Sequence, residues 1–464
     1  MNTGDKKNNL LITNARLIDG TGKPPVVDRS ILIENGIITQ IGKNISIEGV
    51  RTIDANGSTV MPGLIDAHVH LESVPGSFYR DDNNDELWRA RIHQLKAYLA
   101  CGVTTVLDNA ISSRQLREFN QYIKNGGTGP RIFALGPIFF PSGGYGDAVK
   151  MPHWGPFRAS NNIEDIESLF DEYQDFDNII GSKMTLEPGM GPARVWKIHG
   201  PKMRTAITQA AEKRGLPLHV HALKFKEQQI ALDMGAYCLA HAAFFRGRPT
   251  QSFINELKAK GVYVTTTLAS TLGQILVMFN LKQLENDPLL ELTVPPGQLK
   301  TARDPRAWNA TIFRLLKISS PGWIPSFLIR LMQKLSNLEK EFSTQIKSSG
   351  NAIVTMHREG VPIIVGTDSA NWPLFLNYFH GPSTVLELEM LTDAGMDPLD
   401  IISSATRFSA EMMRKADELG TVGVGKRGDL IVVKDDPLKD IRALRRLSWT
   451  IKDGEARAPK EWMV

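Results

Sequence analysis

The sequence predicts an α/β protein whose centre is a (β/α)8, TIM-like barrel of parallel strands. Three observations predict it. Short β-rich runs alternate with helical stretches along the middle of the chain, at the spacing a parallel barrel requires. Several of those runs end in a side chain able to bind a metal ion, and barrel strands all end on one face. Both chain ends carry hairpin-like segments instead of strand–helix units. At 464 residues the chain has room for one barrel and a second module.

Taken in order, residues 10–62 hold the alternating segments Leu10–Ile18, Ser30–Glu34 and Gly36–Gly42, broken by Asp-Gly and Asn-Gly pairs that favour hairpins. Barrel strands are expected at 60–70, Thr104–Asn109, Arg131–Leu135, Asn178–Met184, Leu216–Ala222, Ala236–His241, Val262–Leu268 and Pro362–Asp368, which makes eight. Between them, stretches such as Arg91–Ala100 have helical periodicity. The C-terminal stretch returns to strands at Gly428–Val433 and Leu447–Ile451, with a turn at Asp453-Gly454. Residues 273–350 exceed what a strand–helix connection needs and carry two amphipathic helices, Ala310–Ile318 and Pro325–Phe342, separated by Pro321-Gly322. Such an insertion is expected as a lid over the catalytic face or a subunit contact. Arg314, Lys317, Arg330 and Lys334 among apolar residues also permit docking on a membrane surface through 310–342.

Composition excludes more than it selects. Apolar content of 42% supports a sizeable core, and a net charge of +4 gives no case for nucleic-acid binding. Cys101 and Cys238 sit in apolar surroundings and are expected as buried free thiols. Met1 to Asn9 is polar, and no apolar run approaches the roughly 20 residues that span a bilayer. A cytoplasmic protein without a transmembrane segment is expected.

The chemistry is concentrated at strand ends. Thr59-Val-Met-Pro-Gly-Leu-Ile-Asp-Ala-His-Val-His-Leu71 closes on His68 and His70, two imidazoles at i and i+2 that share one strand face and can grip one ion. Lys183 follows in Ile179–Met184, His221 ends Gly215–Ala222, His241 ends Gly235–Ala242, and Asp368 lies in Gly360–Ser369. Four imidazoles and a carboxylate suit zinc or a similar divalent ion. Lys183 needs a separate argument. An ammonium about 4 Å from a dication costs several kcal/mol even at an effective dielectric of about 20. Desolvation and nearby cations depress a lysine pKa, and the neutral amine can take up carbon dioxide to give a carbamate anion able to bridge two metals. His219 shares the face of His221 one layer deeper, as an alternative ligand, a supporting partner or a core histidine. His93, His153, His199 and His357 fall on helices or loops and are read as binding nothing. His380 is read as a surface residue, with substrate contact as the alternative.

This series, opened by the Pro-Gly-Leu-Ile-Asp-Ala-His-Val-His run, resembles the amidohydrolase superfamily from about Leu10 to Gly454, lapsing mainly between Gly273 and Gly350. The motifs Leu386–Gly395, Ser404-Ala-Thr406 and Gly420–Leu430 are similar to its imidazolonepropionase- and prolidase-related branch. The resemblance implies a small β-sandwich built from both chain ends, 1–62 plus 420–464, beside a barrel at 63–419 with the helical insertion at about 273–350. It implies His221 over His219 as ligand and a carboxylated Lys183 between two divalent ions, zinc foremost and manganese next. It further implies attack by a metal-bridging hydroxide on an amide of the peptide or N-acyl amino acid kind, with Asp368 moving the proton. Pro141–Asp147 matches a Gly-Gly-His-Gly loop of that subgroup except that Tyr145 replaces the histidine, and Leu223 stands where a tyrosine is common. Tyr145, Lys224 and Asn371 are candidate substrate contacts. A small-molecule substrate and a homo-oligomer are expected. The alternatives are a mononuclear cyclic-amide hydrolase or deaminase of the same fold, and a non-catalytic scaffold on it.

Overall fold

A computed structural model describes residues 9–74, 85–149, 157–189, 195–242, 248–270, 276–370 and 376–464. Two sheets organise the chain. The first joins both chain ends in the order β16-β15-β14-β5-β1-β2-β3, with β4 added on β1. Its N-terminal strands are β1 Leu10–Leu17, β2 Val26–Glu34, β3 Ile37–Gly42, β4 Arg51–Asp54 and β5 Thr59–Pro62; its C-terminal strands are β14 Leu430–Val433, β15 Leu447–Lys452 and β16 Glu455–Arg457. Asn35 and Gly36 both take positive φ (51° and 78°), the paired left-handed turn that suits the twist of a hairpin. The ends meet where β14 lies antiparallel to β5, Leu430 opposite Pro62 and Val433 opposite Thr59. Alternate residues Leu10, Ile12, Ile31, Ile33, Val60, Leu430, Val432 and Ile451 turn inward to one apolar cluster, the pattern expected of a half-buried sheet.

The second sheet is the barrel: β6 Leu64–Val69, β7 Val103–Asp108, β8 Arg131–Phe139, β9 Ile179–Thr185, β10 Leu218–His221, β11 Cys238–Leu239, β12 Tyr263–Thr265 and β13 Ile363–Ile364. All seven ladders along it are parallel. Its two outer strands close on each other, since Ala67 N–H donates to Val365 O (2.9 Å), Asp368 N–H donates to His68 O (2.7 Å), and Val69 bridges Ser369. The eight predicted strands are therefore present, most of them shorter than the apolar runs that announced them. The run at 60–70 is two strands, not one. Pro62 pairs with Leu430 in the first sheet while Leu64 pairs with Val103 in the barrel, and Gly63 alone lies between. A Cβ at Gly63 would lie 2.2 Å from Thr104 Oγ1, so no larger residue fits this crossing.

Ile65, Ala67, Leu107, Leu135, Cys238 and Ile364 pack with Met412, Met413 and Leu419 inside the barrel. Cys101 and Cys238 are buried and unbridged. Between β12 and β13 run the helices Pro288–Thr293, Pro296–Ala302, Pro305–Ile318, Ser326–Leu335 and Leu338–Arg358. Proline opens the first three, where its missing N–H costs nothing. The helix expected over Pro325–Phe342 is broken, because the Asn337 side chain accepts from Lys340 N–H and starts a new helix. Ile312 packs with Ala370 and Tyr378, and Phe342 and Ile346 pack on Leu223, so the insertion lies against segments that follow the ligand-bearing strands. Among the described residues no helix is long and apolar enough to cross a membrane.

Candidate metal centre

Strand β6 carries Asp66, His68 and, one residue past its end, His70. His68 Nδ1 lies 3.0 Å from Ala240 O. A carbonyl only accepts, so Nδ1 carries the proton and Nε2 is left with its lone pair. That Nε2 stands 3.3 Å from Lys183 Nζ and 3.3 Å from Asp368 Oδ1, and His70 Nε2 is 2.9 Å from the same oxygen. The donor atoms of His68, His70 and Asp368 all lie within 4.8 Å of one another, on buried residues. Gly366 permits this closeness: a Cβ there would come 2.6 Å from His68 Cβ. Asp368 itself holds φ at 60°, a left-handed conformation that costs a non-glycine residue energy and clusters at functional sites.

Beside this trio, His221 Nδ1 meets His241 Nε2 at 2.8 Å, and the His68 and His241 rings have centroids 4.8 Å apart. His241 Nδ1 is 3.1 Å from Thr267 Oγ1, which holds the ring so that Nε2 faces His221. The six candidate ligands thus converge. His219 pairs in register with Lys183 and is buried, its ring against Tyr237 at 5.8 Å. It shares the face of His221, one layer down, as strand alternation requires.

Electrostatics suit cation binding. Burial pushes the histidines down, His68 to about 4 and His221 to about 3, with the Lys183 charge adding to the effect, and holds His241 well below its ordinary value. They are neutral donors near pH 7, the form that binds metal. Burial also lowers Lys183 to about 8, although Asp368 and Asp108 pull it back up. For Asp368 burial acts upward, but the close approach of His68 and His70 outweighs it and holds the carboxyl well below its usual range, so it is ionised. Neutral imidazoles, one anionic carboxylate and a depressed lysine form a donor set that fits a divalent ion.

The Tyr145 ring lies over this group, 4.7 Å from the His221 ring. Lys224, half-buried, opens the helix Phe225–Asp233 just past His221, and its charge opposes part of the rise that burial imposes on the Glu187 carboxyl. Asn371 and His153 lie outside the described residues. His380 is not on the surface. It is buried, with Nε2 3.2 Å from Ser73 O and Nδ1 2.8 Å from Tyr98 OH, so both nitrogens are engaged. His93 faces Thr293 O, His199 meets Ser160 Oγ, and His357 pairs with Asp400, all away from the centre.

Two acidic residues were not anticipated. Asp66, within the His-x-His run, accepts four hydrogen bonds, from His68 N–H, Thr367 N–H, Thr367 Oγ1 and Thr384 Oγ1, and so ties β6 to the segment bearing Asp368. Its signal was a carboxylate in an otherwise apolar strand. Glu187 is fully buried four residues after Lys183, with Oε2 4.0 Å from His221 Nε2, and burial raises it to about 7. An acid in Leu-Glu-Pro-Gly carried no distinguishing pattern.

A model of the Amidohydrolase family matches residues 59–457. Among curated relatives, the dihydroorotase of Geobacter metallireducens is 49% identical over 76 residues, covering 16% of this chain and 17% of that protein. Such short matches leave most of both chains unaligned. Solved structures are alike over nearly the whole length. A Xaa-Pro dipeptidase with bound methionine superposes with TM-score 0.71 at 21% identity, covering 97% of this chain and 99% of the other. Molinate hydrolase gives 0.70 at 21% (98% and 96%), and the ochratoxinase of A. niger 0.69 at 18% (97% and 96%). At these identities the likeness is one of fold.

Proposed function

The chain belongs to the amidohydrolase family, a metal-dependent hydrolase acting on carbon–nitrogen bonds, and on that premise we propose that it cleaves an amide in a small peptide-like or N-acyl amino acid substrate. The observation that carries this reading is the convergence of His68 and His70 on one oxygen of Asp368, with Lys183, His221 and His241 beside them. His68 and His70 would hold one divalent ion and His221 and His241 a second, with Lys183 and Asp368 as the remaining donors.

When bound, such ions acidify a water and polarise the scissile carbonyl. The chain's own residues supply the rest. Asp368, kept ionised, accepts the proton of the attacking water through Oδ2, which faces Ser270 Oγ at 3.5 Å while Oδ1 is anchored to the histidines. It then passes that proton to the departing nitrogen, which leaves as an amine only once protonated. Lys183 has a substantial neutral fraction near pH 8; its amine nitrogen could attack carbon dioxide with release of one proton, and the carbamate would add an anionic donor beside the histidines. Lys224 offers a cation to a substrate carboxylate, and the Tyr145 ring forms a wall against its side chain.

Two measurements test the reading. Zinc- or manganese-loaded protein is screened against N-acyl amino acids, dipeptides, carbamates and aryl amides, and Lys224→Ala should raise KM only for substrates bearing a carboxylate. Protein equilibrated with carbon-13 bicarbonate should give a carbamate resonance that Lys183→Ala lacks. His68, His70 and Asp368 are the tightest group among the described residues, which favours a single ion as the second reading. One metal per chain and no carbamate would establish it.

A further inference from the structure

The helix Ser326–Leu335 leaves most of its apolar surface uncovered. Only Ile329 is buried; Phe327, Leu328, Leu331, Met332 and Leu335 are exposed, as is Trp323 in the turn before it. Trp323 retains 81% of its accessible surface, Leu335 76% and Phe327 68%. At 100° per residue the five exposed apolar side chains of the helix fall on one continuous stripe about 140° wide, and Ile329 lies outside it. The helix is held from behind: Gln333 Nε2 donates to Asn309 O at 3.1 Å, and the Arg330 guanidinium stacks on Phe313 at 4.3 Å. The stripe therefore faces away from the described residues that hold the helix.

Charge selects the occupant. No acidic residue occurs between Asp304 and Glu339, whereas Arg306, Arg314, Lys317, Arg330 and Lys334 lie in that stretch and are exposed. Arg330 and Lys334 border the apolar stripe along one edge of its own helix. A second copy of the chain docked symmetrically would set this basic patch against itself. A surface both anionic and apolar below its charge layer matches both features, and an exposed tryptophan suits the boundary between them.

We propose that this helix docks on an anionic lipid bilayer, lying along the interface with Trp323, Phe327, Leu331 and Leu335 inserted and the lysines and arginines at the headgroups. The proposal is independent of the substrate reading. The test is co-sedimentation of the full chain with phosphatidylcholine vesicles, with and without phosphatidylglycerol. Binding to the phosphatidylglycerol vesicles should exceed binding to the neutral ones by about tenfold or more and should fall as salt rises. The exposed-site variant Phe327→Ser with Leu331→Ser and Leu335→Ser, and separately Lys317→Glu with Lys334→Glu, should remain in the supernatant with amide hydrolysis unchanged. Wild-type protein that stays in solution with anionic vesicles at low salt overturns the proposal. So does a triple-serine variant that binds like wild type, or a wild-type dimer in sedimentation velocity that the same serines dissociate.

Discussion

Removing the Asp66 carboxylate tests whether the candidate centre depends on the closure of the barrel. Asp66→Ala strands the buried His68 N–H, leaves Thr367 N–H only its 3.3 Å bond to His68 O, and deprives the hydroxyls of Thr367 and Thr384 of their acceptor. The Thr367 hydroxyl can turn to Ser369 Oγ, 2.8 Å away, so His68 N–H and the Thr384 hydroxyl are the two donors that dominate the cost. At about 1–3 kcal/mol for each buried donor left unpaired, the loss is roughly 2–6 kcal/mol. An unfolding entropy of about 2.1 cal/mol/K per residue over 464 residues is about 1 kcal/mol/K, so Tm should fall by roughly 2–6 °C. Asp66→Asn separates bonding from bulk. Its oxygen can accept both backbone donors and its amide can donate to both threonine oxygens, so it should stay within about 1 °C of wild type by this reasoning. Scanning calorimetry of the three proteins at one pH and metal load reads the difference. An alanine variant that melts with wild type, or an asparagine variant as unstable as alanine, would refute the argument that these four bonds hold β6 to the Asp368 segment.

Asp368→Asn keeps the shape but removes the proton acceptor, so kcat should fall by about 10²–10⁴-fold while circular dichroism is unchanged. Chelation should abolish hydrolysis and lower Tm, and restoring zinc or manganese should recover both; hydrolysis that survives exhaustive chelation contradicts a metal requirement. Glu387 is buried against Leu268 and Ala269 N–H, and burial raises its carboxyl to about 7 from an ordinary 4.5. Between those values the folded chain keeps a proton that the unfolded chain has released, so this group's contribution to stability declines as pH rises from about 4.5 to about 7. Glu387→Gln should lack that decline, so its stability relative to wild type should improve across the window in thermal melts at pH 5 and pH 8.

Periodicity and position made much of the protein legible in its sequence. Alternating β and helical runs announced a barrel, because each strand must be apolar to be buried on both faces and each helix must be amphipathic to cover it. His68, His70, Lys183, His221, His241 and Asp368 were identifiable because every one closes such a run, and a parallel barrel brings all its strand ends to one rim. What lay beyond the sequence depends on approach distances. Only the folded chain decides that Gly63 divides an apparently continuous strand between two sheets, where Thr104 leaves no room for a side chain. Asp66 and Glu187 act through partners far away along the chain, Thr367 and Thr384 for one and His221 for the other, so no local pattern marks them. His380 reads as a solvated loop residue until Tyr98 and Ser73, contributed by other segments, enclose it. Local chemistry dictates which residues can bind an ion or form a strand; burial and mutual distance, which set their charge and their partners, arise only when segments hundreds of residues apart are packed together.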